Sequence, residues 1–255
     1  VIEVENFHKS YRETVAVAGL SFNVQAGQIL GLLGPNGAGK TTTLRAIAGI
    51  IPPTQGRLSV AGWNVVTQSV DAKRELAYVP DDPKLFDALT VAEHLEFIAS
   101  AYDVENWRDQ ADKLLAQFEL VDHRNKLAQE LSRGMRQKVA ICCAYLHNPK
   151  AILVDEPLTG LDPHGIRTMK QSLRDRAAAG AAIIISSHLL ALVEDLCTDL
   201  LILHQGRSLF FGPVDEARAA FAQTQERSLE EVFFKATEAT QGSGFGVQGS
   251  VDRLT

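Results

Sequence analysis

Residues 34–41 read Gly34-Pro35-Asn36-Gly37-Ala38-Gly39-Lys40-Thr41 and satisfy the phosphate-loop pattern G-x-x-x-x-G-K-[ST]. They follow Ile29 to Leu33, an apolar run of strand length, and precede a helix expected over Thr41 to Gly49. That order constrains the fold: strand, tight glycine-rich turn, helix. Successive backbone N–H groups of such a turn point inward around an anion. The lysine reaches its outer phosphates, and the threonine hydroxyl is a hard ligand for Mg²⁺. The positive end of the helix that Thr42 helps to open faces the same anion. Gly34, Pro35, Asn36, Gly37, Ala38, Gly39, Lys40, Thr41 and Thr42 are therefore expected to bind a nucleotide, with Thr41 also on the metal.

Composition narrows the remaining classes. The chain has 255 residues, of which 45% are hydrophobic, enough for one large α/β unit with an embellishment. A net charge of −6 gives no basic field, so nucleic acid is not an expected partner. Cys142, Cys143 and Cys197 have neither metal spacing nor a disulfide framework, and read as core residues in a reducing compartment. No stretch approaches the roughly 18 to 20 apolar residues of a membrane span, and no export signal is visible. The chain is expected to be cytoplasmic.

Three zones follow along the chain. Residues 1–81 carry short strand-like segments: Ile2 to Val4, Leu20 to Val24, Ile29 to Leu33, Arg57 to Val60 and Leu76 to Val79. Residues 82–149 turn helical, over Val91 to Tyr102, Trp107 to Phe118 and Leu131 to His147, with Thr90 and Ser132 placed as N-caps. From Ala151 alternation resumes, with strands Ile152 to Val154, Ala181 to Ile185 and Leu200 to Leu203 and helices Gly165 to Ala178 and Leu189 to Leu196. The expected core is thus split, 1–81 and 150–227, around a helical insert at 82–149. A short amphipathic helix is expected within 228–240, and a glycine-rich flexible tail at 241–255.

Ala151-Ile152-Leu153-Val154-Asp155-Glu156-Pro157 is an apolar strand ending in two carboxylates. Beside a phosphate loop, the first acid holds the Mg²⁺ shell and the second polarises a water toward the γ-phosphate. Asp155 is accordingly the expected metal ligand and Glu156 the expected catalytic base.

Between these motifs lies Leu131-Ser132-Arg133-Gly134-Met135-Arg136-Gln137-Lys138. It resembles the signature motif of ATP-binding cassette (ABC) proteins, whose commonest form has Gly-Gly-Gln where this chain has Arg133-Gly134-Met135. A Ser hydroxyl and a glycine N–H at a helix start suit a γ-phosphate. The resemblance implies that Leu131, Ser132, Arg133, Gly134 and Met135 face the ATP of an opposite subunit. It further implies that Asp162 lies in the loop through which two cassettes touch, that His188 senses the γ-phosphate and holds the attacking water, and that Tyr11 stacks on adenine. Where most cassettes have a glutamine after Tyr78-Val79-Pro80, this chain has Asp81, which by resemblance hinges the helical insert and could bind the metal.

Taken together, the resemblance implies a P-loop NTPase core with an N-terminal antiparallel β-subdomain and an inserted α-helical subdomain, spanning residues 1–240. The implied function is the ATP-hydrolysing subunit of an ABC transporter of the exporter type, using ATP and Mg²⁺. Its implied partners are a second cassette, identical or a sister chain, and a separate transmembrane permease that would hold it at the inner face of the cell membrane. The rival expectation is a soluble cassette ATPase serving an assembly machine such as iron–sulfur cluster building.

Overall fold

The computed structural model describes residues 1–187 and 190–221. Two sheets organise them. The first is antiparallel and built from β1 (Ile2–Tyr11), β2 (Thr14–Val24), β4 (Gln55–Val60) and β5 (Trp63–Asn64), in the order β2-β1-β4-β5. Along β1 the alternation Ile2, Val4 buries one face, and a register shift between Val4 and Phe7 returns Phe7 to that face. Asn6, at φ 45, supplies the local irregularity.

The second sheet contains β3 (Ile29–Leu33), β6 (Leu76–Val79), β7 (Ala151–Asp155), β8 (Ala182–Ser186), β9 (Asp199–His204) and β10 (Arg207–Pro213), in the order β10-β9-β3-β8-β7-β6. All its pairings are parallel except the edge pair β9 and β10. Every residue of β3, β7 and β8 is buried, which is why these segments read as continuous apolar runs instead of alternating ones.

Helices cover both faces. Helix α1 (Lys40–Ile47) follows β3, and with the antiparallel sheet it packs on one face through Leu44, Ile47, Leu32, Leu153 and Ile184. Helices α3 (Val91–Ala101), α4 (Trp107–Gln117) and α5 (Arg133–Tyr145) lie in sequence between β6 and β7. Together with α6 (Pro163–Ala178) they pack on the other face, where Phe118, Tyr145 and Met169 meet Ile152, Val154 and Ile185. The strand period explains the division: within β7, Ile152 and Val154 face the α5 side while Ala151 and Leu153 face the α1 side. The remaining helices are α2 (Ser69–Arg74), α7 (Leu190–Leu196) and α8 (Val214–Phe221).

Each strand and helix expected within the described residues is present, most with ends shifted by one or two residues, but β1 runs on to Tyr11 where Val4 was the expected end and β2 begins at Thr14 where Leu20 was the expected start. Beyond these, β10, α8, α2 and β5 were not expected at all. The edge strand β10 exposes or half-exposes all of its residues and so lacks a buried pattern to read. Helix α2 spans six residues, too short for a periodic face. His188, the amphipathic helix expected within 228–240 and the tail at 241–255 lie outside the described residues. Among the cysteines, Cys142 is fully buried, and burial pushes the Cys143 and Cys197 thiols up to about 12.

Both predicted caps form. Thr90 Oγ1 accepts from the Glu93 N–H at 3.2 Å while Glu93 Oε2 accepts from the Thr90 N–H at 2.7 Å, a reciprocal capping box at the start of α3. Thr90→Ala leaves one of these donors without a partner. We expect it to lower the unfolding free energy by about 1 kcal/mol, measured by urea denaturation; an unchanged midpoint would show that the box contributes nothing.

Candidate nucleotide site

Parallel pairing places the ends of successive strands on one edge. Leu32 of β3 pairs with Ser186 of β8, Ser186 with Asp155 of β7, and Val154 with Val79 of β6. The loop after β3, the acids that end β7, Ser187 and the Pro80-Asp81 turn therefore emerge side by side. The carboxyl ends of parallel strands are where open α/β sheets bind ligands.

The loop is shaped by its backbone. Gly39, at φ 106, is the N-cap of α1, and a Cβ there would stand 2.8 Å from the Ala16 carbonyl oxygen. Being glycine it offers no side-chain cap, so the first-turn N–H groups of α1 point out of the helix as an anion site requires. Lys40 is 8% exposed, and its ammonium arches back to donate to the carbonyls of Gly34 at 2.6 Å and Pro35 at 3.2 Å. Burial lowers the lysine pKa, while the charges of Glu156 and Asp155 oppose that shift. The phosphate-loop cation and the two acids thus lie within one another's fields.

Asp155 is 5% exposed. Its Oδ1 accepts from Ser186 Oγ at 2.5 Å and its Oδ2 from Tyr78 OH at 3.4 Å. Burial, then the Asp155 charge, raises the Tyr78 pKa, so the phenol remains a donor. Glu156 follows at φ 49, with its N–H donating to the Ser186 carbonyl at 3.0 Å. That left-handed conformation is uncommon for a non-glycine residue and turns the chain sharply out of β7.

The donor set bears on the metal. Asp155 and the Thr41 hydroxyl are hard oxygens. Among the described residues, no group of three or more His, Cys, Asp or Glu could hold a metal by itself. Two hard oxygens, Asp155 and the Thr41 hydroxyl, are the kind of protein ligand that suits Mg²⁺, which keeps several of its sites for phosphate oxygens and water.

Of the other predicted residues, Asp81 stands in the turn at this edge, and Tyr11, Ser132 and Asp162 lie on other elements. Tyr11 ends β1, is 46% exposed, and has Lys9 Nζ 5.1 Å from its ring centroid. Ser132 is the N-cap of α5, accepting from the Met135 N–H at 3.3 Å. It heads a helix on the sheet face opposite to α1. Asp162 is the N-cap of α6; its Oδ1 accepts from the Gly165 N–H at 2.6 Å, the bond that chiefly holds its carboxyl below the usual range. Asp81 forms an ion pair with Arg133, Nη2 to Oδ1 at 3.1 Å. Arg133 at the start of α5 thus has its charge turned to the Pro80-Asp81 turn. Sequence reasoning overlooked Tyr78 and Ser186, the two residues that hold Asp155. Only the pairing of β6, β7 and β8 brings them there, and no local pattern signals it.

Comparison with known proteins agrees with this geometry. The sequence profile of the family described as ABC transporter matches residues 17–159. The ABC-type transporter ATP-binding protein EcsA of Bacillus subtilis is 32% identical over 244 residues, covering 95% of this chain and 98% of that protein. The lipopolysaccharide export system ATP-binding protein LptB of Haemophilus influenzae is 33% identical, covering 85% of this chain and 92% of LptB. The SkfA peptide export ATP-binding protein SkfE of Bacillus subtilis is 31% identical, covering 91% and 98%. A solved ATP binding subunit of an ABC transporter superposes with a TM-score of 0.89 at 34% identity, covering 92% of this chain and 99% of that one. A strand-loop-helix phosphate cradle facing a buried aspartate, on a fold shared over nearly its whole length with these proteins, places the chain in the ABC transporter ATP-binding family as an ATPase.

Proposed function

We propose that this chain is the ATPase subunit of an exporter, and that each of its sites acts in the closure of two cassettes on ATP. The observation that carries the reading is the single sheet edge on which Lys40, Asp155 and Glu156 converge. Gly34 to Thr42 cradle the phosphates of ATP, and Lys40 exchanges its loop carbonyls for the outer phosphate oxygens. Thr41 and Asp155 would hold Mg²⁺, which would supply positive charge to offset that of the phosphates. Glu156 accepts a proton from the attacking water, and His188 helps to hold that water. Tyr11 offers its exposed ring to adenine.

The nucleotide is shared. Ser132 and Gly134 start a helix on the sheet face opposite to α1, which favours an arrangement in which the two motifs serve different nucleotides. A second cassette, identical or a sister chain, then completes each site, with the Asp162 loop at the contact.

The proposed membrane partner is a separate permease, a reading supported by EcsA, a transporter ATP-binding protein that the match covers over 98% of its length. Among the described residues no helix is long and apolar enough to cross a membrane. Between the end of β6 and helices α3 and α5 lies a groove of about 250 Å³, lined by Tyr78, Pro80, Leu85, Phe86, Phe97 and Tyr102. Phe86 and Phe97 are 55% and 50% exposed with ring centroids 5.5 Å apart, an apolar pair suited to a permease segment. Docking there places the chain at the inner face of the membrane. The export direction rests on relatives such as LptB and SkfE, which also favour a transporter over a soluble assembly machine.

Three outcomes test these roles. Glu156→Gln should retain ATP binding and lose hydrolysis by a factor of roughly 10² to 10⁴, whereas Lys40→Ala should weaken ATP binding itself; turnover of Glu156→Gln within a few-fold of the parent removes Glu156 as the base. Mixing Ser132→Arg chains with Lys40→Ala chains should restore some ATPase, because one composite site of the heterodimer carries neither lesion. Complete lack of complementation would show that the sites are not shared. Finally, Phe97→Asp should cut recovery of the folded chain with membranes on the order of tenfold or more; undiminished recovery moves the docking surface elsewhere.

A further inference from the structure

Among the positions that depart from the commonest family pattern are Asp81, in place of glutamine, and Arg133, in place of glycine. They lie 52 residues apart in sequence and meet in space, with Arg133 Nη2 donating to Asp81 Oδ1 at 3.1 Å. Neither is buried, their side chains being 54% and 47% exposed, so the pair is open to competing ions.

Arg133 is positioned to matter. It is the first residue of α5, directly after the Ser132 cap, where the helix end already carries partial positive charge. A guanidinium there is unfavourable without an anion, and Asp81 supplies one. The arginine stem also crosses Gly160: a Cβ on Gly160 would stand 3.2 Å from Arg133 Cγ and 3.3 Å from Cδ. Beneath it Gly134 approaches the same residue so closely that a Cβ would meet the Gly160 carbonyl oxygen at 2.4 Å. One side chain therefore touches the turn after β6, the start of α5 and the loop before Asp162. Arg136, one turn along α5, extends the contact: its Nη2 lies 3.9 Å from Asp87 Oδ1, and its Nε donates to the Ala128 carbonyl at 3.1 Å.

We propose that Arg133 is held in cis by Asp81 until nucleotide binds, and that the pair exchanges on closure, Arg133 turning to phosphate and Asp81 to the cation shell. This rests on the functional reading above, since both exchange partners come from the shared site. The physical logic is competition for charge. A phosphate carries more negative charge than one carboxylate and binds a guanidinium in the same forked geometry. A carboxylate released from the arginine is a hard oxygen for Mg²⁺. Because the arginine stem lies on Gly160, its release also frees the loop before Asp162 to adjust to the opposite cassette. The ion pair thus opposes closure until both ions of Mg²⁺·ATP are present to replace it.

A double-mutant cycle decides this on the full chain, carrying Glu156→Gln so that nucleotide is not consumed. Thermal midpoints are measured for the parent, Asp81→Asn, Arg133→Gln and the double variant, with and without saturating ATP and Mg²⁺. Without nucleotide, each single variant should lose about 1–3 °C, the scale of a half-exposed ion pair, and the double variant no more than either. Arg133→Lys should recover part of the loss. With ATP and Mg²⁺ the non-additivity should disappear. Equal non-additivity in both conditions would make the pair a static brace and overturn the exchange, as would additivity in both. A parent chain whose midpoint ATP does not move would refute the phosphate-loop assignment itself, and the exchange with it, so the two failures are told apart by the parent alone.

Discussion

The parallel pairing of β3, β8 and β7 is the constraint on which the rest depends. Each strand is buried on both faces, so its backbone groups must be satisfied by its neighbours and its register is fixed by packing above and below. Because Leu32 and Asp155 both pair with Ser186, the phosphate loop and the acid cannot be displaced from one another without breaking that register. The site inherits its precision from the core. A slip of one residue would send Ile152 and Val154 to the α1 face and carry Asp155 away from the Ser186 hydroxyl.

The same sheet separates two kinds of work. On the α1 face it carries the phosphate loop and the antiparallel sheet ending at Tyr11. On the other it carries α5, headed by Ser132, and α6, headed by Asp162. Both of these caps are bonded within the chain, to Met135 and Gly165. Any contact they make with an opposite cassette is therefore made by groups whose positions are already set, which lowers the ordering cost of association.

Legibility in the sequence followed the range of the interaction. The loop Gly34–Thr41, the carboxylates Asp155 and Glu156 and the caps Thr90 and Ser132 are local patterns whose physics acts within a few residues; both caps form, the loop leads into α1, and the carboxylates stand at the end of β7. Tyr78 and Ser186 escaped because each reaches Asp155 across strands that are far apart in sequence. The pairing of Asp81 with Arg133 escaped for the same reason: each was visible as a departure from a motif, but nothing in either motif says that they touch. Edge strand β10, with no buried row, left no pattern to find.

The two hydrogen bonds from Lys40 to the Gly34 and Pro35 carbonyls have a thermodynamic consequence. The loop is braced from within by the group proposed to meet the ligand, so binding there would exchange two carbonyl acceptors for phosphate oxygens and would not have to gather a disordered segment. Little chain entropy is lost in that step. The association should therefore show a small heat-capacity change at the loop itself, leaving any large apolar burial to the meeting of whole subunits.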